Sequence, residues 1–279
     1  MTVQIDMRAA WNRTSAGYQR LHQIPTDAAH YGPWAPDESE LRLLGDVRGK
    51  RILEIGCGGG QCSIAFARQG AIAVGIDLSD EQLGFARGLA EQAAQSPLAL
   101  SHAENDVSAF VPPTFLQGDA SDLSRFADRS FDVVFSAYAL HYVPTIETCL
   151  AEVSRVLRRA DTGAGVFGGQ FVFSLDHPFR ECFWDEDNGE DGLQAVRSYY
   201  TRGAVDWQFG SSGEWMRSYH RTIGDWVALL RDANLQVERI LEPEPVLSPE
   251  EQTSWSESYD LEAARLIPQT IIFVARNCG

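Results

Sequence analysis

The sequence predicts an α/β fold, a mostly parallel sheet with crossover helices, on three observations. From residue 51 onward, apolar runs of strand length alternate with amphipathic helical stretches. The first run, Arg51-Ile-Leu-Glu-Ile55, opens directly into Gly56-Cys-Gly-Gly-Gly60, a buried strand turning into a helix. The second run, Ala71-Ile-Ala-Val-Gly-Ile-Asp77, ends in an acid seventeen residues past Gly60.

Taken in order, residues 1–50 are mostly polar and helical in character, with an aromatic and His-rich patch from Trp11 to Trp34. His30-Tyr-Gly-Pro-Trp-Ala-Pro-Asp-Glu38 is turn-rich, and a short helix over Ser39–Leu44 leads into the first strand. Strands are predicted at 51–55, 72–76, 114–118, 132–136, 165–174, 235–241 and 268–276, and helices at 61–69, 80–95, 145–158 and 222–233. The segment Gln95–Pro113 carries Pro97, Pro112 and Pro113 and reads as an inserted surface loop. Residues 175–220 show no clear period but are dense in aromatics, which suits a lid more than a sheet. One domain over 1–279 is expected, with a helical cap at 1–45 and a substrate-lid insertion at 175–221.

Composition narrows the function. A net charge of -16, from 39 acids against 23 bases, repels phosphate backbones and acidic membrane surfaces. Nucleic acid and membrane are therefore not expected partners, and solubility is the plain account of the charge. Five cysteines at 57, 62, 149, 182 and 278 form no paired spacing, which argues for a reducing, cytoplasmic setting. The first residues lack the apolar core of a signal peptide, and no window approaches the ~20 apolar residues of a membrane span. Asp185-Glu-Asp-Asn-Gly-Glu-Asp191 lacks EF-hand spacing and reads as a solvated loop. No metal is expected.

The glycines at 56, 58, 59 and 60 let the backbone turn sharply and approach a ligand with no Cβ in the way. A dinucleotide fingerprint needs a third spaced glycine where this chain has Gln61. A carboxylate at the end of the second strand, Asp77, is placed to take both hydroxyls of a ribose; capping the next helix is its other use, for which Ser79 is better suited. Glu54, an acid ending a core strand, must be hydrogen-bonded.

Glu54-x-Gly-Cys-Gly-x-Gly60 followed by a strand ending in Asp77 resembles the class I S-adenosylmethionine-dependent methyltransferases, of the small-molecule, methyltransferase type 11-like kind. The resemblance covers about 40–175 by motif and 220–276 by pattern. It implies a Rossmann-like seven-stranded sheet of order 3-2-1-4-5-7-6 with helices on both faces and an antiparallel hairpin at its edge. It implies S-adenosylmethionine as cofactor, with Glu54, Gly56, Gly58, Gly60 and Gln61 at its methionine end and Asp77 and Leu78 at the ribose. Phe115-Leu-Gln-Gly-Asp119-Ala120 resembles the block that meets the adenine, and the carbonyls of Ser136 and Ala137 are expected near the transferable methyl. Tyr18 resembles a residue of the N-terminal helix that folds over the cofactor, although packing explains it equally.

Histidines offer a base. His177, in Ser174-Leu-Asp176-His177-Pro178-Phe179 after the fifth strand, points with Asp176 at the substrate region, since ligands of open sheets bind beyond the carboxyl ends of the strands. Neutral imidazole takes the proton that a nucleophilic O–H or N–H must lose. His141 and His220 are the other candidates, and for all three a packing or turn-anchoring role stands open beside catalysis. Phe179, Trp184, Tyr199, Tyr200, Trp215 and Tyr219 are the expected substrate contacts, in a lid suited to an apolar or aromatic acceptor. The expected activity is methyl transfer to oxygen, nitrogen or carbon of a small organic molecule. Two alternatives remain: a non-catalytic S-adenosylmethionine-binding regulatory or interaction protein, and a protein methyltransferase. Oligomeric state is not legible.

Overall fold

The computed structural model describes residues 5–95, 110–160, 163, 165, 167–185, 190–191, 193–246 and 261–279. Seven strands form one sheet: β1 (Arg51–Ile55), β2 (Ile72–Asp77), β3 (Thr114–Gln117), β4 (Val133–Ala137), β5 (Gln170–Asp176), β10 (Leu235–Leu241) and β11 (Thr270–Asn277). Their order is 3-2-1-4-5-11-10, which becomes 3-2-1-4-5-7-6 when only the strands of this sheet are counted. The first five pair in parallel, whereas β11 runs antiparallel to both β5 and β10.

Strand alternation decides which helix covers which face. Leu53, Val134, Phe171, Phe173 and Phe273 point to one side, under α5 (Ile146–Val156) and α6 (Ile223–Asp232). Ile52, Phe135, Val172 and Ile272 point to the other, under α3 (Gln61–Arg68) and the Leu43–Val47 segment. Phe173 is stacked between Phe171 at 4.8 Å and Phe273 at 4.9 Å, and burying each such ring contributes about 1.5–3 kcal/mol. A third cluster packs Leu83 and Ala86 of α4 (Asp80–Ala94) on Phe115 and Cys57.

Two differences from the sequence reading matter. First, β5 occupies 170–176 rather than 165–174. Gly168 and Gly169 run hard against neighbouring backbone: a Cβ on Gly168 would lie 1.9 Å from the carbonyl oxygen of Asn277. Second, the region read as lid without sheet holds an antiparallel hairpin, β8 (Gly203–Phe209) with β9 (Glu214–His220), separate from the main sheet. A short pair, β6 (Trp184–Asp185) with β7 (Glu190–Asp191), precedes it. Most of the segment read as a loop at 95–113, and the middle of the acidic run at 185–191, lie outside the described residues.

The amino-terminal helix α1 (Met7–Leu21) ties these parts together. Arg8 bonds Asp80 on α4 at 2.5 Å, and Arg13 bonds Glu214 on β9 at 2.7 Å. Asn12 accepts from the Ser79 hydroxyl at 2.7 Å, so the helix sits on the turn that follows β2. A short helix, α2 (Glu38–Leu41), completes the approach to the sheet, and α7 (Leu261–Ala264) precedes β11. Among the described residues no helix is long and apolar enough to cross a membrane.

Candidate active site

The carboxyl ends of β1, β2 and β4 open into a cavity of about 480 Å³. Its floor is the glycine turn. Gly56, Gly58 and Gly60 have φ of +67°, +50° and +77°, a region that non-glycine residues seldom adopt. A Cβ on Gly56 would meet the Cβ of Ala139 at 2.2 Å. Gly56, Gly58 and Gly59 line the cavity, while Gly60 turns inward against the Phe115 ring. Gln61 starts α3 and donates to Gln19 Oε1 at 3.0 Å, and Gln19 donates to Gln82 Oε1 at 2.7 Å. This chain of amides joins α1, α3 and α4 over Gly59, and none of Gln19 or Gln82 was foreseen.

Two carboxylates face the cavity from the strand ends. Glu54 is buried and accepts from the Ser63 hydroxyl; burial raises its pKa to about 7, opposed by the Ser63 bonds. Asp77 Oδ2 accepts from Gly58 N and its Oδ1 from Ser79 N, both at 2.8 Å. Burial raises the Asp77 pKa against those backbone bonds. Leu78, Asp119, Ala120 and Ala137 also line the wall. Ser136 lies behind it, its hydroxyl donating to the Ile55 carbonyl at 2.9 Å.

The three histidines read as bases are each placed elsewhere than the cavity wall. His177 Nδ1 accepts from Phe179 N at 3.1 Å, so Nε2 carries the proton and donates to Glu242 at 2.7 Å. His220 Nε2 donates to the Tyr199 carbonyl at 2.9 Å and Nδ1 lies 2.6 Å from Glu181. Burial opposes a charge on this ring, but its bonds to Glu181 and the Tyr199 carbonyl outweigh it and the pKa is raised. His141 packs on Tyr142 at 4.0 Å, with Nε2 3.9 Å from Asp176, and burial lowers its pKa.

Of the expected substrate contacts, Tyr219 lines the cavity. Asp176 instead accepts from Arg180 at 2.7 Å, and Arg180 lies 5.4 Å over the Trp184 ring. The Tyr199 hydroxyl accepts from Ile223 N at 3.1 Å, capping α6. Phe179, Tyr200 and Trp215 are exposed. Phe179 and Tyr200 each pack on Tyr199, and neither these rings nor Asp176, Trp184 and Trp215 line the cavity.

The inner aromatic wall joins Tyr18 and Tyr219 to rings the sequence reading left unassigned. Trp11 touches Tyr18 at 6.0 Å, Tyr142 at 5.5 Å and Phe209 at 5.8 Å, mostly edge to face. Trp11, Tyr18, Tyr138, Tyr142 and Tyr219 all line the cavity, joined by His30 and Arg217. Tyr18 is the one residue of α1 singled out from sequence, and burial raises the pKa of its phenol. Trp11 lies two helical turns before Tyr18 and so shares its face; nothing local marks Tyr142 or His30.

Residues 53–162 match the family described as Methyltransferase domain. That match, with the strand order and the glycine turn, is consistent with a class I S-adenosylmethionine-dependent methyltransferase. It is 26% identical over 208 residues to an uncharacterised protein of Haemophilus influenzae, covering 73% of this chain and 74% of that one. It is 33% identical over 135 residues to the fatty-acid O-methyltransferase of Mycolicibacterium smegmatis, covering 48% and 39%. A solved S-adenosylmethionine-dependent methyltransferase from Mesorhizobium loti superposes with a TM-score of 0.60 at 25% identity, covering 85% and 94%. The chain thus spans three quarters of one curated relative and well under half of another.

S-adenosylmethionine is the expected cofactor of this methyltransferase, and the residues present fit it. The turn at Gly56–Gly60 is a cradle that side chains would fill, and Asp77 is fixed by two backbone donors at its rim. Bound there, the cofactor supplies an activated methyl group on a sulfonium.

Proposed function

We propose that the protein transfers a methyl group from S-adenosylmethionine to oxygen, nitrogen or carbon of a small, apolar or aromatic organic molecule. One observation carries this reading: the glycine cradle and the aromatic wall of Trp11, Tyr142 and Tyr219 belong to one continuous cavity. A cofactor seated on the cradle shares that space with an acceptor held by the rings. The O-methyltransferase activity named for the Mycolicibacterium relative agrees with an acceptor of this size class.

In this reading Glu54, Gly56 and Gly58 hold the methionine end, Asp77 the ribose, and Asp119 with Ala120 the adenine. The amino-terminal cap and the β8–β9 hairpin are the covers. A sulfonium methyl is already reactive, so alignment and exclusion of water are the main tasks, which can supply on the order of 7–11 kcal/mol. Aromatic rings in the wall offer apolar surface that disfavours water.

The test has two stages. Calorimetric titration of the wild type and Asp77→Ala with S-adenosylmethionine is expected to show binding that the substitution weakens. A panel of phenols, carboxylic acids and amines, assayed by mass gain of one methyl, then identifies the acceptor class. Binding without methylation of any small molecule would shift the reading to a regulatory protein.

A further inference from the structure

The β8–β9 hairpin stands apart from the main sheet, so its place beside the cavity depends on contacts rather than on strand pairing. The ion pair of Arg13 with Glu214 is solvent-exposed at its arginine end, where such pairs hold weakly. Arg221, the residue that follows β9, makes a different connection. Its Nη1 donates to the Tyr219 carbonyl and its Nη2 to the Val143 carbonyl, both at 3.3 Å. Tyr219 lines the cavity from the hairpin, and Val143 lines it from the segment after β4, beside Tyr142 and Pro144. One guanidinium thus spans two walls, while Arg221 itself is not part of either.

The guanidinium is also held from behind. Its Cζ lies 5.6 Å from the centre of the Tyr219 ring and 5.5 Å from that of Trp226. Trp226 is buried and packs on Phe173 of β5 at 5.3 Å. Thr222, next in the chain, starts α6 with a capping box: its hydroxyl accepts from Asp225 N at 3.2 Å, and its N–H donates to Asp225 at 2.9 Å. The position costs free energy. Burial lowers the Arg221 pKa, opposed first by Glu147. Among the described residues no carboxylate forms an ion pair with it, since Asp225 is engaged by Arg202 and Glu181 by His220. A half-buried cation without a counter-charge is unfavourable, so packing alone does not account for it.

We propose that Arg221 is a positioning residue for the methyl transfer, setting the distance between the hairpin wall and the end of β4; this rests on the methyltransferase reading above. Ala137 ends β4 and lines the cavity, and the turn Leu140–Tyr142 comes after it. In that reading the transferable methyl lies near this strand end and the acceptor lies against Tyr219. Displacement needs nucleophile, carbon and sulfur in line, and a misplacement of about 1 Å can cost about 100-fold in rate. Arg221 acts through the two carbonyls and touches neither cofactor nor acceptor. Arginine suits this task because its planar fork offers fixed donors on separate nitrogens, whereas lysine offers one flexible ammonium.

The test uses the full chain with Arg221→Met, which removes the fork, and Arg221→Lys, which keeps the charge without it. Hydrogen exchange followed by mass spectrometry reads the bridge without turnover. Amides of 140–144 and 203–220 should exchange about tenfold faster in both variants, while 51–60 and 72–79 exchange as in wild type. Unchanged exchange in the two walls overturns the proposal. Faster exchange at 51–60 and 72–79 as well marks a merely destabilised fold and also overturns it. In the second readout, both variants should bind S-adenosylmethionine within about threefold of wild type by calorimetry, while kcat at saturating acceptor falls about tenfold or more. A kcat within threefold of wild type in either variant overturns the proposal, as does a loss of cofactor affinity that accounts for the whole defect. If Arg221→Met does not fold, Arg221→Lys decides by the same two readouts. Failure of the wild type to bind S-adenosylmethionine removes the methyltransferase reading itself, and this inference with it.

Discussion

The carboxylate of Asp77 accepts the backbone N–H of Gly58 at 2.8 Å, so the end of β2 and the glycine turn after β1 form one rigid unit. The same carboxylate holds Ser79 N, and Ser79 in turn holds Asn12 of α1. Three segments distant in sequence are therefore fixed by one acid at the rim of the cavity.

Asp77→Ala is expected to weaken S-adenosylmethionine binding at least tenfold, about 1.4 kcal/mol. It should also cost about 1 kcal/mol of folding stability, because Gly58 N and Ser79 N lose their acceptor. Paired calorimetry and thermal melts measure the two separately. Unchanged affinity would mean that Asp77 only braces the turn.

Gly56→Ala combines a strained φ of +67° with a Cβ 2.2 Å from that of Ala139. A destabilisation of about 1–3 kcal/mol follows from the backbone strain. The double variant with Ala139→Gly relieves the overlap but not the strain, so it should recover part of the loss. Full recovery in denaturant melts would show that φ is not a constraint here.

The buried pair of His220 and Glu181 sets a pH signature. The His220 pKa is raised in the folded protein, so the bond stabilises fully below the unfolded value of 6.5 and fades as pH rises through the folded one. His220→Gln should therefore melt below wild type at pH 5.5, by about 1–2 kcal/mol. As pH rises through the raised folded-state value the gap should narrow. A gap that widened with pH would reverse the assignment of charge.

Trp11→Ala removes the ring at the centre of the inner wall, which touches Tyr18, Tyr142 and Phe209. Each such pair is worth about 0.5–1.5 kcal/mol beyond burial, so a loss of 2–4 kcal/mol in stability is expected. At a temperature where the variant stays folded, KM for the acceptor should rise while cofactor affinity holds. The reverse pattern would assign Trp11 to the cofactor.

The sheet and its cradle were legible because their signals are local. Short apolar runs such as Arg51–Ile55 and Ile72–Asp77 specify buried strands, and the glycines at 56, 58 and 60 mark a turn of positive φ. The β8–β9 hairpin was missed although Gly210-Ser-Ser-Gly213 between two aromatic-bearing runs is a turn signal; acids and arginines at Asp206 and Arg217, paired across the strands, blurred the alternation.

Glycine spacing, strand periodicity and the acid ending the second strand were determined by the sequence itself, since each acts over a few neighbouring residues. Which histidine borders the cavity, and which rings wall it, was decided only by tertiary structure. His30, Trp11, Tyr142 and Tyr219 meet there from four separate segments, while His177 and His220 are drawn into bonds with Glu242 and Glu181. A side chain's proton affinity and reach depend on what packs against it from far along the chain, and no local pattern encodes that.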